Sequence, residues 1–179
     1  MALRDLSISL GLPFGLGSIA GTWEPDEDER LAAWEMYVEL ITRVSVDELG
    51  PGEGSLREAL SSLYTLFGTT REILRRHGPG VATPKRGSDL SFGVIALGVV
   101  NGALRPFLSK WHVELLHHEE QRRPDVSPLE HERSWERAAE LRADLAELRG
   151  VLATYAGYLG AVADVPSLVG VPAGPAGRA

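Results

Sequence analysis

Hydrophobic and polar positions along the chain follow a helical period over most of its length. The clearest case lies in the last third, where Leu141, Leu145, Leu148, Leu152, Tyr155, Leu159 and Val162 fall at alternating spacings of four and three. Such a row lines one narrow stripe of a helix and must be buried against neighbouring rods. Ser127-Pro128-Leu129-Glu130 supplies an N-cap hydroxyl, a proline at the first helical position and a glutamate three residues on, so the pattern predicts one long fourth helix beginning there. A first helix is expected from Asp26, where Pro25 and four consecutive acids suit the positive end of a helix dipole, with Leu31, Trp34, Val38 and Ile41 on one face. Gly50-Pro51-Gly52 ends it. A second helix opens with Ser55-Leu56-Arg57-Glu58, buries Leu56, Leu60, Leu63, Phe67 and Leu74, and stops at Gly78-Pro79-Gly80.

The third helix, capped by Ser88 or Asp89, is apolar on nearly every side from Leu90 to Leu104, as a central rod is. Gly98 and Gly102 permit close approach of a neighbouring helix, and Pro106 predicts a bend near Gly102. These elements predict an all-α, antiparallel up-down four-helix bundle over residues 26–165. Residues 1–25 form an apolar arm and residues 166–179 a flexible tail rich in Pro, Gly and Ala. Within the arm, Leu6-Ser7-Ile8-Ser9-Leu10 alternates like an edge strand, and the arm is expected to lie extended along a groove of the bundle. At about 1.5 Å per residue the third and fourth helices outreach the first two by roughly 15 Å, so a hairpin should project beyond the bundle. Its tip is Gln121 to Val126, and its arms carry Trp111, His112, His117, His118, His131 and Trp135.

Composition narrows the reading. With no cysteine among 179 residues, a disulfide framework and thiolate metal sites are excluded, in keeping with a cytoplasmic protein. Lys85 and Lys110 are the only lysines, a GC-rich coding pattern of a bacterial kind. The net charge of −7 argues against nucleic-acid binding in general, although it is uneven: residues 61–123 hold nine basic residues against five acids. Residues 6–23 carry no charge, but glycines and Pro13 interrupt the run, so no membrane span is expected.

Candidate chemistry is sparse. Arg71, Arg75, Arg76, Lys85 and Arg86 form the densest basic cluster, at the end of the second helix and the following loop, and Arg75, Arg76, Lys85 and Arg86 are the candidate anion site. Glu114 and His117 have the spacing of half a di-iron carboxylate site, and His112 and His131 are further weak metal candidates, but the other half of such a site is missing. Arg105 and His112, six residues between them on one helix, are similar to the active-site pattern of HEPN-type ribonucleases. That resemblance implies an arginine and a histidine acting together on a scissile phosphate, usually across a dimer. It covers two residues and the general architecture, and Pro106 stands where that family often has a polar residue. A nucleotide-binding glycine loop, a nucleophile elbow and a zinc cluster of standard spacing are all missing. The expectation is therefore a non-enzymatic, oligomeric adaptor without a cofactor, presenting the arm and the hairpin (Trp111, His118, Arg122, Arg123, Trp135) to a protein partner. An HEPN-like ribonuclease and a small-ligand sensor with a pocket bordered by the glycine-lined third helix are the alternatives.

Overall fold

The computed structural model describes residues 5–43, 50 and 53–168. The chain is mostly helical, with a small β-hairpin at its N-terminal end. Strands β1 (Leu6–Gly11) and β2 (Ser18–Trp23) pair antiparallel, Leu6 opposite Trp23 and Gly11 opposite Ser18. The alternation seen in the sequence puts Ile8 and Leu10 inward at 1% exposure, while Ser7 and Ser9 face out. The expected extended arm is thus corrected to a hairpin, because β2 satisfies the backbone groups that a lone strand would leave open. It is anchored at both edges. The Tyr158 hydroxyl accepts from the Ser9 amide at 3.1 Å and donates to its carbonyl at 3.0 Å, while the Asp89 carboxylate takes the Thr22 amide and hydroxyl at 3.0 and 2.9 Å.

Helix α1 (Glu27–Ile41) starts behind Asp26, which accepts from the Glu29 amide at 2.9 Å while Glu29 returns a bond to the Asp26 amide at 3.2 Å. Its buried face is Ala32, Ala33, Met36, Tyr37 and Leu40, and Leu31 and Trp34 point outward. The buried face is therefore not the one that Leu31, Trp34, Val38 and Ile41 share: Tyr37 packs close against Gly160 of the last helix, which has no side chain to hold it away. Helix α2 (Leu56–His77) is capped by Ser55 and closed by Gly78 at φ 76°, as expected.

The third rod starts later than expected. Asp89 and Ser88 are engaged by Thr22 of the hairpin, so Ser91 caps α3 (Phe92–Val99) instead. A π-turn at Val100–Leu104 follows, with the Arg105 amide bonded to the Val100 carbonyl five residues back, and α4 (Arg105–Glu120) completes the rod. The bend foreseen at Pro106 takes this form because the proline has no N–H for the Gly102 carbonyl and its ring crowds it. Gly98 and Gly102 face the hairpin, not a helix: added Cβ atoms would come within 2.6 Å of Ile19 and 2.8 Å of Leu12. The rod from Phe92 to Glu120 is, among the described residues, the one helix long and apolar enough to cross a bilayer; one side of its apolar start, Phe92, Ile95, Ala96 and Val99, is buried in the core, while Val94 and Leu97 are exposed.

The single long fourth helix is corrected to two. Helix α5 (Pro128–Arg133) ends in turns at Ser134 to Arg137, and α6 (Ala138–Val162) carries the leucine stripe, each of whose seven residues is at most 2% exposed. The break lets α5 fold back. Glu132, 7% exposed, accepts from the Leu56 amide at 2.8 Å and the Ser55 hydroxyl at 3.1 Å, so a carboxylate sits on the positive end of α2. The expected projecting hairpin is therefore tied down. The expected flexible tail falls largely on residues 169–179, outside the described residues.

Candidate functional site

Helices α2 and α4 run side by side with a cleft of about 290 Å³ between them, lined by Tyr64, Phe67, Arg71, Arg105, Leu108, Ser109, His112 and Val113. On α2, Tyr64, Phe67 and Arg71 follow one another at three and four residues and so share a face. On α4, Arg105 and His112 share a face as their spacing of seven predicts. The Arg105 guanidinium lies 5.2 Å from the Phe67 ring centre, and its Nε and Nη2 donate to Asn101 Oδ1 at 3.2 and 2.9 Å. The Tyr64 ring meets His112 edge-on at 5.7 Å and Phe67 at 5.9 Å.

His112 is held from behind. Arg57 donates from Nη1 to His112 Nδ1 at 3.1 Å and grips Glu119 with two bonds of 2.8 and 2.7 Å. A guanidinium cannot accept, so Nδ1 is the acceptor and Nε2 carries the hydrogen of a neutral ring, an assignment made from the bonding network. Burial, and then the Arg57 charge, hold the imidazole below its usual 6.5. Nε2 is itself buried without a partner.

The remaining predicted site residues lie elsewhere. Trp111 is fully buried, donating to Asp144 at 2.9 Å beneath Lys110 and Arg137, and Trp135 is 9% exposed, edge-on to Trp111 at 6.0 Å. Neither is displayed to a partner; each fills the seam that α4 and α6 share. His118 and His131 stack in parallel with centres 3.8 Å apart, and each Nε2 donates to the other's carbonyl, at 2.8 and 2.7 Å. They clasp α5 to α4. Arg122 and Arg123 are exposed at the tip, bonded to the Val126 carbonyl and to Asp125.

The basic cluster is partly neutralised within the chain. Arg76 and His77 pair with Glu35 of α1, and Lys85 pairs at 2.8 Å with Asp26, which caps it, while Arg75 and Arg86 stay exposed. Among the described residues no three His, Asp or Glu side chains meet as a metal site; His117 bonds Gln121 and Glu114 pairs with Arg137. A larger cleft of about 770 Å³ separates the start of α2 from α5, but its charges answer one another through Arg57–Glu119 and the capping role of Glu132. No protein-family model, curated protein or solved structure matches the chain.

Arg57, Tyr64, Glu119 and Glu132 carry no signal in the sequence that marks them as functional candidates. The spacing of Tyr64, Phe67 and Arg71 was legible, but only the pairing of α2 with α4 gives it meaning.

Proposed function

We propose that this chain is a non-enzymatic interaction protein that docks protein partners, a second copy first among them, through the outer face of α2 and α4. In this reading α1, α2, the α3–α4 rod and α6 act as an antiparallel four-helix bundle, working in the reducing cytoplasm to which a cysteine-free chain is suited. The supporting observation is a group of large apolar side chains left in water on adjoining helices: Tyr64 is 62% exposed, Val113 67% and Leu116 52%. A contiguous patch of that kind favours association. The surface is not the one expected from the sequence, since the N-terminal hairpin and both hairpin tryptophans are built into the protein's own core. Light scattering of the wild type and of a Val113→Glu, Leu116→Glu double variant tests the reading. Self-association that the variant loses supports it; a wild-type monomer that also yields no photo-crosslinked partner from a probe at position 113 overturns it.

A second reading, RNA cleavage of the HEPN-like kind, draws support from Arg105 and His112 lining one cleft. Against it stand the engagement of Nδ1 by Arg57 and the shielding of Nε2, which leave the imidazole no free nitrogen to accept a proton. Labelled RNA incubated with wild type and His112→Ala decides: equal, negligible cleavage by both rejects the enzyme.

A further inference from the structure

For a chain with 25 acidic residues, the α2–α4 cleft is unusual in that no carboxylate lines it. Arg57, Arg76, Lys85, Lys110 and Arg137 are each held by a carboxylate. Arg71 and Arg105 are not: among the described residues neither takes part in an ion pair. Arg105 bonds only the neutral Asn101 amide oxygen and rests over Phe67, and Arg71 is exposed. Two unneutralised guanidinium groups beside one aromatic wall make a place where an anion is favoured, because guanidinium donors bond carboxylate and phosphate oxygens strongly and in a planar fork. The walls are apolar: Tyr64, Phe67 and Val113.

We propose that the cleft binds a small organic anion, its carboxylate or phosphate met by Arg71 and Arg105 and its aromatic or aliphatic body laid against Tyr64, Phe67 and Val113. The site goes beyond the docking role: it shares Tyr64 and Val113 with that face, so the ligand and a covering protein would compete for it, and the ligand is bound by the uncovered chain. A volume of about 290 Å³ suits a compound of one ring, at the small end of ligand sites. Inorganic phosphate lacks the apolar body and a neutral aromatic lacks the charge, so each should bind poorly.

The test is an NMR titration of the full chain with phenyl phosphate and, separately, benzoate, which distinguishes a phosphate head from a carboxylate. Inorganic phosphate and benzyl alcohol serve as the two half-ligands. At least one aromatic anion should shift Tyr64, His112 and Val113 signals saturably, with both half-ligands weaker by about tenfold or more. Arg71→Gln, at an exposed position the fold does not use, should weaken binding about fivefold, and the Arg71→Gln, Arg105→Gln double variant should abolish the saturable shift with its circular dichroism unchanged. Absence of a saturable shift with either anion, equal binding of benzyl alcohol, or wild-type affinity in the double variant would overturn the site. Loss of self-association leaves all of these readouts intact, so failure of the docking reading and failure of this one are told apart.

Discussion

Buried charged groups set the strongest local constraints. Glu29 is fully buried, and its carboxylate takes bonds from Trp23 Nε1 at 3.0 Å, the Phe92 amide at 2.9 Å and the Asp26 amide at 3.2 Å. One side chain thus ties the hairpin, α1 and the start of α3 together. Glu29→Ala leaves those donors unsatisfied and should lower the unfolding free energy by about 3 kcal/mol in urea titrations. His112 gives a prediction in pH. Its folded value lies below 6.5, so between the two values the unfolded chain binds the proton and the folded chain does not. Stability is full above about 6.5, falls as the pH drops through that window and levels off below the folded value. His112→Gln should remove this part of the slope. An NMR titration midpoint for His112 at or above 6.5 would contradict the account.

Between elements, contacts at helix ends decide how the segments join. Gly93 opens α3 where the chain after α2 passes close by, and an added Cβ would stand 2.7 Å from the Ala82 backbone. Helix propensity alone favours Gly93→Ala by about 1 kcal/mol. Because the obstacle is backbone and cannot swing aside, the substitution should instead destabilise by roughly 2 kcal/mol, measured by thermal unfolding. Glu132 has the corresponding role for α5. Removing its carboxylate leaves the Leu56 and Arg57 amides at the start of α2 without their acceptor, and Glu132→Ala should cost about 2 kcal/mol and loosen the His118–His131 clasp, seen as faster amide exchange in α5.

At the level of the whole molecule the hairpin and the helices share one core, Ile8, Leu10 and Trp23 belonging to the same buried cluster as Leu104, Tyr155 and Leu159. The β1–β2 ladder should therefore exchange its amides with the free energy of global unfolding, as α6 does. An arm that opened independently would exchange much faster. The helical content, the leucine stripe, the caps at Asp26 and Ser55 and the bend near Gly102 were legible in the sequence, because period, capping chemistry and the missing proline donor act over a few residues. Ser18 to Trp23 does not declare itself a strand: its few apolar positions are weak alone and gain meaning only opposite β1. The break after α5 escaped for a related reason. Every residue from Ser134 to Arg137 tolerates a helix, and the turn is fixed by where Trp135 and Glu132 find partners on α4 and α2. The cleft between α2 and α4 has the same origin. Arg105 and His112 share a face by spacing alone, but Arg57, Tyr64 and Arg71 join them only because two rods distant in sequence pack side by side, and it is that packing that leaves two guanidinium groups without a carboxylate.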